Sequence, residues 1–175
     1  MNWYHSVFEL IDLRSFSNLW YWIMLAVVWS TTSHWVLGVP FDMIGRARRH
    51  GGQAADDLHV LVRINVNRML YIVHVSGIWL LAFTFFLLTA LVTLGFWYWV
   101  EFAQALFLIV APMALVGVLT LRTAHKAAAL TEGGEQLYRL LNRHRLIVQV
   151  IGMVSIFVTS LWGMWQNLQL GGLGA

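Results

Sequence analysis

Four stretches of this chain contain no aspartate, glutamate, lysine or arginine and are long enough to cross a lipid bilayer. They are Ser15–Phe41, Met69–Val100, Phe102–Leu121 and Leu146–Ala175. A helix needs about 20 apolar residues to span a hydrocarbon core of roughly 30 Å. Lipid satisfies no backbone polar groups, and these stretches are continuously apolar rather than alternating like the strands of a barrel. The sequence therefore predicts an all-α integral membrane four-helix bundle.

The composition agrees with a membrane environment. Charged residues make up 11% of the chain and hydrophobic residues 59%, whereas a water-soluble domain carries about 25% charged residues. The chain has no cysteine, which excludes a disulfide, a thiolate metal site and a cysteine-ligated iron–sulfur cluster. A net charge of +3 is too small to indicate a nucleic-acid partner.

We predict one transmembrane domain, residues 1–175, with spans at about 18–39, 69–95, 102–122 and 146–168 and with loops at 40–68 and 122–145. The second charge-free stretch is too long for one crossing. Its aromatic end, Phe96–Trp99, is followed by Glu101, which indicates a tight turn between the second and third spans. The N-terminus lacks the basic start and short apolar core of a cleaved signal, so we expect it to be retained as a short amphipathic helix.

Orientation follows from the basic residues, ten of which fall in the two predicted loops, while Arg14 lies before the first span. Basic loops stay on the cytoplasmic side of a bacterial inner membrane. Tryptophan and tyrosine cluster at the opposite ends of the spans, at residues 20–22, 97–99, 162 and 165. Such aromatic belts favour the headgroup zone. We therefore expect a multi-pass inner-membrane protein with both termini in the periplasm.

The first loop contains a predicted short basic helix. Pro40 suits the start of a helix and Gly51 suits its end. The basic residues between them are Arg46, Arg48 and Arg49. We predict that these arginines contact anionic lipid headgroups at the cytoplasmic face; the alternative is that they only set the topology.

The segment that follows, residues 56–68, is ambiguous. Its acidic start suits a helix N-terminus, whereas the alternation from Val60 to Val66 is typical of a strand. Helix is favoured, because an isolated strand here would have no partner and the second span follows at once.

The second loop, Arg122–Arg145, is predicted to be a helical hairpin that extends the third and fourth spans into the cytoplasm. Alanine, lysine and leucine favour helix on both sides of Gly133-Gly134, which breaks it. About ten residues in each arm extend about 15 Å. Leu137 and Leu140 form a candidate docking surface for a partner.

His34 and His74 lie near the cytoplasmic ends of two different spans. Facing imidazoles on two helices could ligate a b-type haem or orient a quinone. The favoured interpretation is structural, with hydrogen bonds to the nearby hydroxyls of Ser30, Thr31 and Ser76, and no cofactor is expected. An absorption spectrum of the purified protein separates the two hypotheses.

The fourth span has small residues on one stripe, which let helices approach closely. They are Gly152, Ser155, Thr159 and Gly163. Packing inside the bundle is favoured over dimerisation; a homo-oligomeric channel is a weaker alternative that rests on this stripe alone. Gln104 and Gln149 also lie in the spans and are expected to bridge helices.

The sequence offers no residues for catalysis or ion transport. No acidic residue lies inside a predicted span, which argues against an ion-coupled transporter. Paired carboxylates, a nucleophile elbow, a His-Glu-x-x-His helix and a glycine-rich nucleotide loop are not found, so we do not expect an enzyme. We expect a non-catalytic accessory subunit, or an assembly and stabilising factor, of a larger bacterial inner-membrane complex.

Three runs of sequence carry a resemblance: Arg14–Trp22 (RSFSNLWYW), Ser33–Asp42 (SHWVLGVPFD) and Arg46–Ala54 (RARRHGGQA). They resemble small alphaproteobacterial membrane proteins that are catalogued as a component of the SufBCD iron–sulfur assembly complex. The resemblance covers most of the chain and implies an association, with no activity and no catalytic residue. Because the chain has no cysteine, the resemblance implies a membrane partner rather than a scaffold for the cluster.

Reporter fusions test the predicted topology. A reporter that is active only after export should be active when it is fused after Gly95 or at the C-terminus, because the basic loops hold the opposite ends of the spans in the cytoplasm. The same reporter fused within residues 40–68 is the control and should be inactive. A cytoplasmic signal after Gly95 or at the C-terminus would contradict the orientation.

Overall fold

The computed structural model describes residues 15–130 and 134–171, with side chains as far as Leu168. Within these ranges the chain forms five α-helices: α1 Leu19–His34, α2 Phe41–His50, α3 Gly52–Val92, α4 Glu101–Ala129 and α5 Glu135–Gly171. The predicted all-α class is confirmed. The amphipathic helix predicted at the N-terminus lies outside the described residues, which begin with a 3-10 turn, Ser15–Ser17.

Three of the helices, α3, α4 and α5, are long and apolar enough to cross a membrane. At the end of α3 the chain continues through a π-helical turn, Thr93–Trp97, before α4 starts at Glu101. The N–H of Val100 donates to the carbonyl of Leu94 at 3.0 Å and closes the connection. The tight turn predicted between the second and third spans is confirmed.

The first helix is shorter than the predicted span at 18–39. Its 16 residues extend about 24 Å, and it ends at His34. The chain then forms an antiparallel hairpin of two short strands, β1 Trp35–Val36 and β2 Val39–Pro40. Leu37 and Gly38 have φ angles of 51° and 74°, which is the geometry of a tight two-residue hairpin turn. This hairpin has no charged residue, which is why the sequence analysis included it in the first predicted span.

Two hydrophobic cores follow one another along the long helices. The first, which we call the base core, joins α2, both strands and the adjoining ends of α3, α4 and α5. Its buried residues are Val36, Leu37, Val39, Ile44, Ala47, Leu58, Val62, Val66, Ala124, Leu137, Tyr138 and Leu141. The second, the membrane core, joins the 3-10 turn, α1, α4 and α5. Its buried residues are Phe16, Tyr21, Leu25, Trp29, Ala105, Ile109, Val116 and Val148.

The short helix α2 is amphipathic, and its apolar side faces the base core. Ile44 and Ala47 are 1% and 2% exposed. Pro40 precedes the first turn, and the helix ends at Gly51, whose φ of 59° suits glycine and whose N–H donates to the carbonyl of Ala47. The predicted short basic helix and both of its ends are confirmed.

The ambiguous segment 56–68 is helical and belongs to α3. Leu58, Val62 and Val66 follow at four-residue spacing and are all buried in the base core. The helix also holds the hairpin in place, since the side-chain amide of Asn65 donates to the carbonyl of Gly38 at 3.1 Å. The favoured helical interpretation is therefore confirmed.

A hydroxyl of α5 donates the hydrogen bond that a proline in α4 cannot supply. Pro112 has no N–H, so the carbonyl of Leu108, four residues earlier, lacks its helical donor. The hydroxyl of Ser155 in α5 donates to that carbonyl at 3.4 Å. Neighbouring serines satisfy freed carbonyls in this way where no water is present. The α4–α5 contact therefore compensates for the proline.

Two glycines of α5 allow α1 and the 3-10 turn to approach closely. A Cβ atom at Gly152 would lie 2.7 Å from Cε3 of Trp29, and one at Gly163 would lie 3.2 Å from Cδ1 of Phe16. Trp29 is only 5% exposed in this contact. The close approach of α1 to α5 therefore depends on the absence of a side chain at Gly152.

We predict that Gly152→Ala lowers the free energy of unfolding by about 1–3 kcal/mol, because the new methyl group overlaps the indole of Trp29. Gly117→Ala in α4 is the matched control, since a Cβ atom there meets nothing within 4 Å. Alanine is favoured over glycine in a helix by about 1 kcal/mol, so the control should be neutral or stabilising. Unfolding of both variants in the same detergent measures the difference, and equal stability would contradict the close contact.

Candidate functional site

The part of α3 from Met69 to Ala90, which we call the membrane half of α3, has no buried residue. It contributes nothing to the membrane core described above. Its half-buried residues fall on one side of the helix, towards α4, which is its neighbour in the hairpin. On the opposite side Ile78 is 84% exposed and Phe86 is 71% exposed. This half of the helix is therefore a long apolar surface that the chain itself leaves uncovered.

The arginines that were predicted to contact lipid lie on the exposed side of α2. Arg46, Arg48 and Arg49 are all exposed. Nη2 of Arg46 lies 3.7 Å from a carboxylate oxygen of Asp42, and Nη2 of Arg48 lies 3.8 Å from one of Glu135. The apolar side of α2 is used by the base core. This helix therefore has no free apolar face to insert into lipid, and only charge could draw its arginines to headgroups.

Leu137 does not offer the predicted docking surface. It is 5% exposed and belongs to the base core, and Leu140 is half-buried. The helices predicted on both sides of the glycine break are present, since α4 ends at Ala129 and α5 begins at Glu135; Gly133 lies outside the described residues. The leucine spacing indicated an apolar face correctly. It could not show that other helices of the same chain cover that face.

The small residues of α5 pack inside the chain, so they are not available as the predicted partner or lipid contact. Gly152 and Gly163 face Trp29 and Phe16, and Ser155 bonds to α4. Thr159 is fully buried, with 0% exposure. Packing within the bundle is what the sequence analysis favoured over dimerisation, and burial of the stripe gives no support to a homo-oligomeric channel.

His34 and His74 are not brought together in one site. His34 ends α1, where its ring stacks edge-on against Trp35 with 5.9 Å between centroids, and His74 lies in the membrane half of α3. Both are exposed. The hydroxyls of Thr32 and Ser33 donate to carbonyls of their own helix, and among residues 15–130 and 134–168 neither imidazole forms a hydrogen bond. The predicted hydrogen bonds are not formed, and this placement gives no support to a haem or quinone site.

A buried glutamine joins α4 to α5 and to the turn after α3. Gln104 is 0% exposed. Its side-chain amide donates to the carbonyl of Gly95 at 2.7 Å, and its oxygen accepts from Nε1 of Trp162 at 3.1 Å and from the amide of Gln166. The prediction that Gln104 bridges helices is confirmed. The spacing of Trp162 and Gln166, one turn apart on α5, is the sequence signal that could have named its partners.

The start of α1 is tied to the same end of the bundle. The N–H of Phe16 donates to a carboxylate oxygen of Glu101 at 2.8 Å, and the hydroxyl of Tyr21 donates to the carbonyl of Ala105 at 3.2 Å. Glu101 was interpreted only as a turn residue. Its carboxylate therefore also fixes the entry of the chain into α1.

Two cavities of about 320 Å³ each open onto the bundle. One lies in the base between α3, α4 and α5 and carries the polar side chains of His59, Arg63 and Asn67. The other is an apolar groove between α4 and α5 around Pro112. Among the residues that the structure describes, no three histidine or acidic side chains come together to hold a metal ion.

Comparison of the chain with protein families, with curated proteins and with solved structures finds no match. Function must therefore be argued from the surfaces of the chain itself. The membrane half of α3 and the arginine side of α2 are two of the surfaces that the described part of the chain leaves open; α1 and α5 also expose apolar side chains, among them Val27 and Phe157.

We predict that Gln104→Leu lowers the free energy of unfolding by about 1–3 kcal/mol, because it leaves the donors of half-buried Trp162 and buried Gln166 without their acceptor. Gln149→Leu is the matched control, since Gln149 lies in the charge-free part of α5 and, contrary to the sequence prediction, is exposed and bridges no helices among the described residues. Denaturant titration of the purified protein measures both. A loss of stability in Gln149→Leu as large as that in Gln104→Leu would contradict the bridging role.

Proposed function

We propose that this chain is a non-catalytic accessory subunit, or an assembly and stabilising factor, of a larger bacterial inner-membrane complex. It acts through helix contacts within the membrane. The observation that carries this proposal is the uncovered side of the membrane half of α3, in which no residue from Met69 to Ala90 is buried. Helices of a bundle usually pack around a shared core, but this half of α3 contributes no residue to the membrane core, and only Met69 and Leu70 at its base end pack against the base core.

A protein neighbour suits the exposed side of α3 for two reasons. Association of helices in lipid is driven by close packing and by hydrogen bonds between helices. Trp79 is 80% exposed on this side, near the middle of the charge-free stretch Met69–Val100, whereas a tryptophan that faces lipid favours the headgroup zone. His74 is exposed on the same helix, and a polar ring near the membrane gains from a partner that supplies a hydrogen bond.

We propose α1 as a fourth crossing beside α3, α4 and α5. The helix lies along α4, since Tyr21 bonds to Ala105 and Oγ1 of Thr32 lies 3.7 Å from Sδ of Met113. Its length of about 24 Å is short of a 30 Å core. The 3-10 turn before it adds to this thickness, and the hairpin Trp35–Pro40 after it leads into the base.

We propose that the base lies in the cytoplasm and that both termini lie in the periplasm. Ten of the eleven basic residues belong to the two segments that build the base, which is the distribution that bacterial inner-membrane proteins show on the cytoplasmic side. The resemblance to membrane proteins catalogued with the SufBCD complex agrees with an accessory role. It names iron–sulfur assembly as one setting for that role.

Photo-cross-linking in native membranes tests the proposed function. A photoreactive side chain at Ile78 or at Phe86 should yield one discrete adduct with another membrane protein, because both positions face away from α4. The matched control carries the same group at Val27, which is 57% exposed on α1, and should yield lipid adducts. Lipid adducts alone from Ile78 and Phe86 would overturn the proposal.

A further inference from the structure

The apolar groove between α4 and α5 opens away from α1. Leu115, Val150 and Val154 line it and are exposed. Gly152, which faces Trp29 of α1, is two residues from both valines. Two residues correspond to a turn of about 200° around a helix, so α1 packs on the opposite side of α5.

In the membrane position proposed above, this groove faces lipid. Its lining includes Ala111 and Ser155, whose small side chains leave a space of about 320 Å³ between the helices. An empty space would leave the lining without contacts on one side. Because the hydrocarbon core contains no water, the group available there to fill the groove is an acyl chain.

Two arginines lie on the groove side of these helices. Arg122 follows Leu115 by seven residues and Arg143 precedes Val150 by seven, which is about two turns of each helix. Both arginines are exposed. Arg122 directly follows the charge-free stretch of α4, and Arg143 lies three residues before that of α5. They are therefore at the level of the lipid headgroups.

The helices α2 and α3 pack on the opposite side from these arginines. Ala124, which is buried in the base core with residues of α3, is two residues from Arg122. The guanidinium carbon of Arg145, two residues from Arg143, lies 3.5 Å from the ring centroid of Phe41 in α2. At about 200° of turn, neither α2 nor α3 covers the side that carries Arg122 and Arg143.

The acidic residues of the described chain are used or placed elsewhere. The ion pairs there involve Asp42 and Glu135, with other arginines. Asp56–Asp57 lie about 18 Å along α3 from its charge-free part, on the opposite side of α4. Within the described residues no carboxylate is within ion-pair distance of Arg122 or Arg143.

The remaining acidic residues near the ends of the described ranges join the chain far from this pair. Glu9 and Asp12 precede the 3-10 turn, which bonds to Glu101 at the other end of α4. Glu132 lies between the ends of α4 and α5, and those ends are about 10–12 Å beyond the two arginines.

We propose that the groove and the pair Arg122 and Arg143 form one binding site for an anionic phospholipid. Guanidinium groups bind phosphate oxygens in pairs, and basic positions between membrane helices bind anionic headgroups. Leu115 is about 10 Å from the level of Arg122, within the roughly 15 Å hydrocarbon depth of one leaflet, so an acyl chain of the same lipid reaches the groove. This inference rests on the proposed membrane position and goes beyond the accessory role.

The test measures lipid binding to the full-length protein in detergent by native mass spectrometry. The probes are phosphatidylglycerol, which is anionic, and phosphatidylcholine, which is zwitterionic, with identical acyl chains. We expect one phosphatidylglycerol to bind about tenfold more tightly than phosphatidylcholine, because two arginines favour the net negative charge.

Three variants separate the two parts of the site. Arg122→Gln/Arg143→Gln should weaken phosphatidylglycerol binding about tenfold. The matched control, Arg63→Gln/Arg68→Gln, removes the same charge from exposed positions on α3 and should weaken it less than about twofold. Ala111→Phe fills the groove, keeps both arginines and should weaken binding of both lipids. Thermal unfolding verifies that the variants are folded, and Ala111→Leu replaces Ala111→Phe if the larger side chain is not tolerated.

Four outcomes would overturn the proposal. If phosphatidylglycerol binds no more tightly than phosphatidylcholine, the arginines do not select an anionic headgroup. If both double variants weaken binding equally, the lipid senses only the overall charge. If filling the groove at Ala111 leaves binding unchanged, or if glycerol phosphate at the same concentration displaces the lipid, the groove does not hold an acyl chain.

The lipid assay contains no native protein partner, so it is independent of the cross-linking at Ile78 and Phe86. Loss of site-specific lipid binding with an intact protein cross-link removes the lipid site alone. Site-specific lipid binding without a protein cross-link removes the proposed accessory role and leaves the lipid site.

Discussion

The helices α3, α4 and α5 are longer than a bilayer is thick, and the rest of the structure depends on where their excess length goes. They contain 41, 29 and 37 residues, which correspond to about 62, 44 and 56 Å, against a hydrocarbon core of roughly 30 Å. In the membrane position proposed above, the excess leaves lipid at the same end of all three, where its apolar sides need a cover that is not lipid. The hairpin Trp35–Pro40 and α2 supply that cover, and the base core is the result.

The cover is possible because α1 and α2 are separate helices, with the hairpin Trp35–Pro40 between them. A straight helix continuing from α1 could not turn its apolar side onto the base and also follow the path of α2. The turn at Leu37 and Gly38, held by Asn65 of α3, lets the chain change direction between the two tiers. Pro40 then precedes the new helix, and because it has no N–H it leaves no donor there that needs an acceptor. One short hairpin therefore separates the membrane packing of α1 from the packing of α2.

Local chemistry made the ends and the types of several elements predictable. It did not show which elements pack against one another. Pro40 and Gly51 mark both ends of α2 correctly, and the absence of any partner strand was sufficient reason to prefer helix for residues 56–68. The hairpin after His34 was missed because its residues are as apolar as a span. For the candidate site, the small residues of α5 were interpreted correctly as packing, whereas Leu137 was assigned to a surface that is in fact buried. Periodicity shows which side of a helix is apolar; it does not say whether the chain, lipid or a partner covers that side, as the open side of α3 illustrates.

The base core has a consequence for how the protein is made. Its first members, Val36 to Ala47, emerge from the ribosome about a hundred residues before its last, Leu137 to Leu141, so α2 can pack on the start of α3 early, but the rest of the core stays open until α5 is made. The three long helices are joined by short connections that bring their ends together as each is completed. The arginines of α2 keep this segment soluble, because a helix with so many exposed charges does not aggregate readily. Closure of the base therefore follows the synthesis of Leu137 to Leu141 in α5.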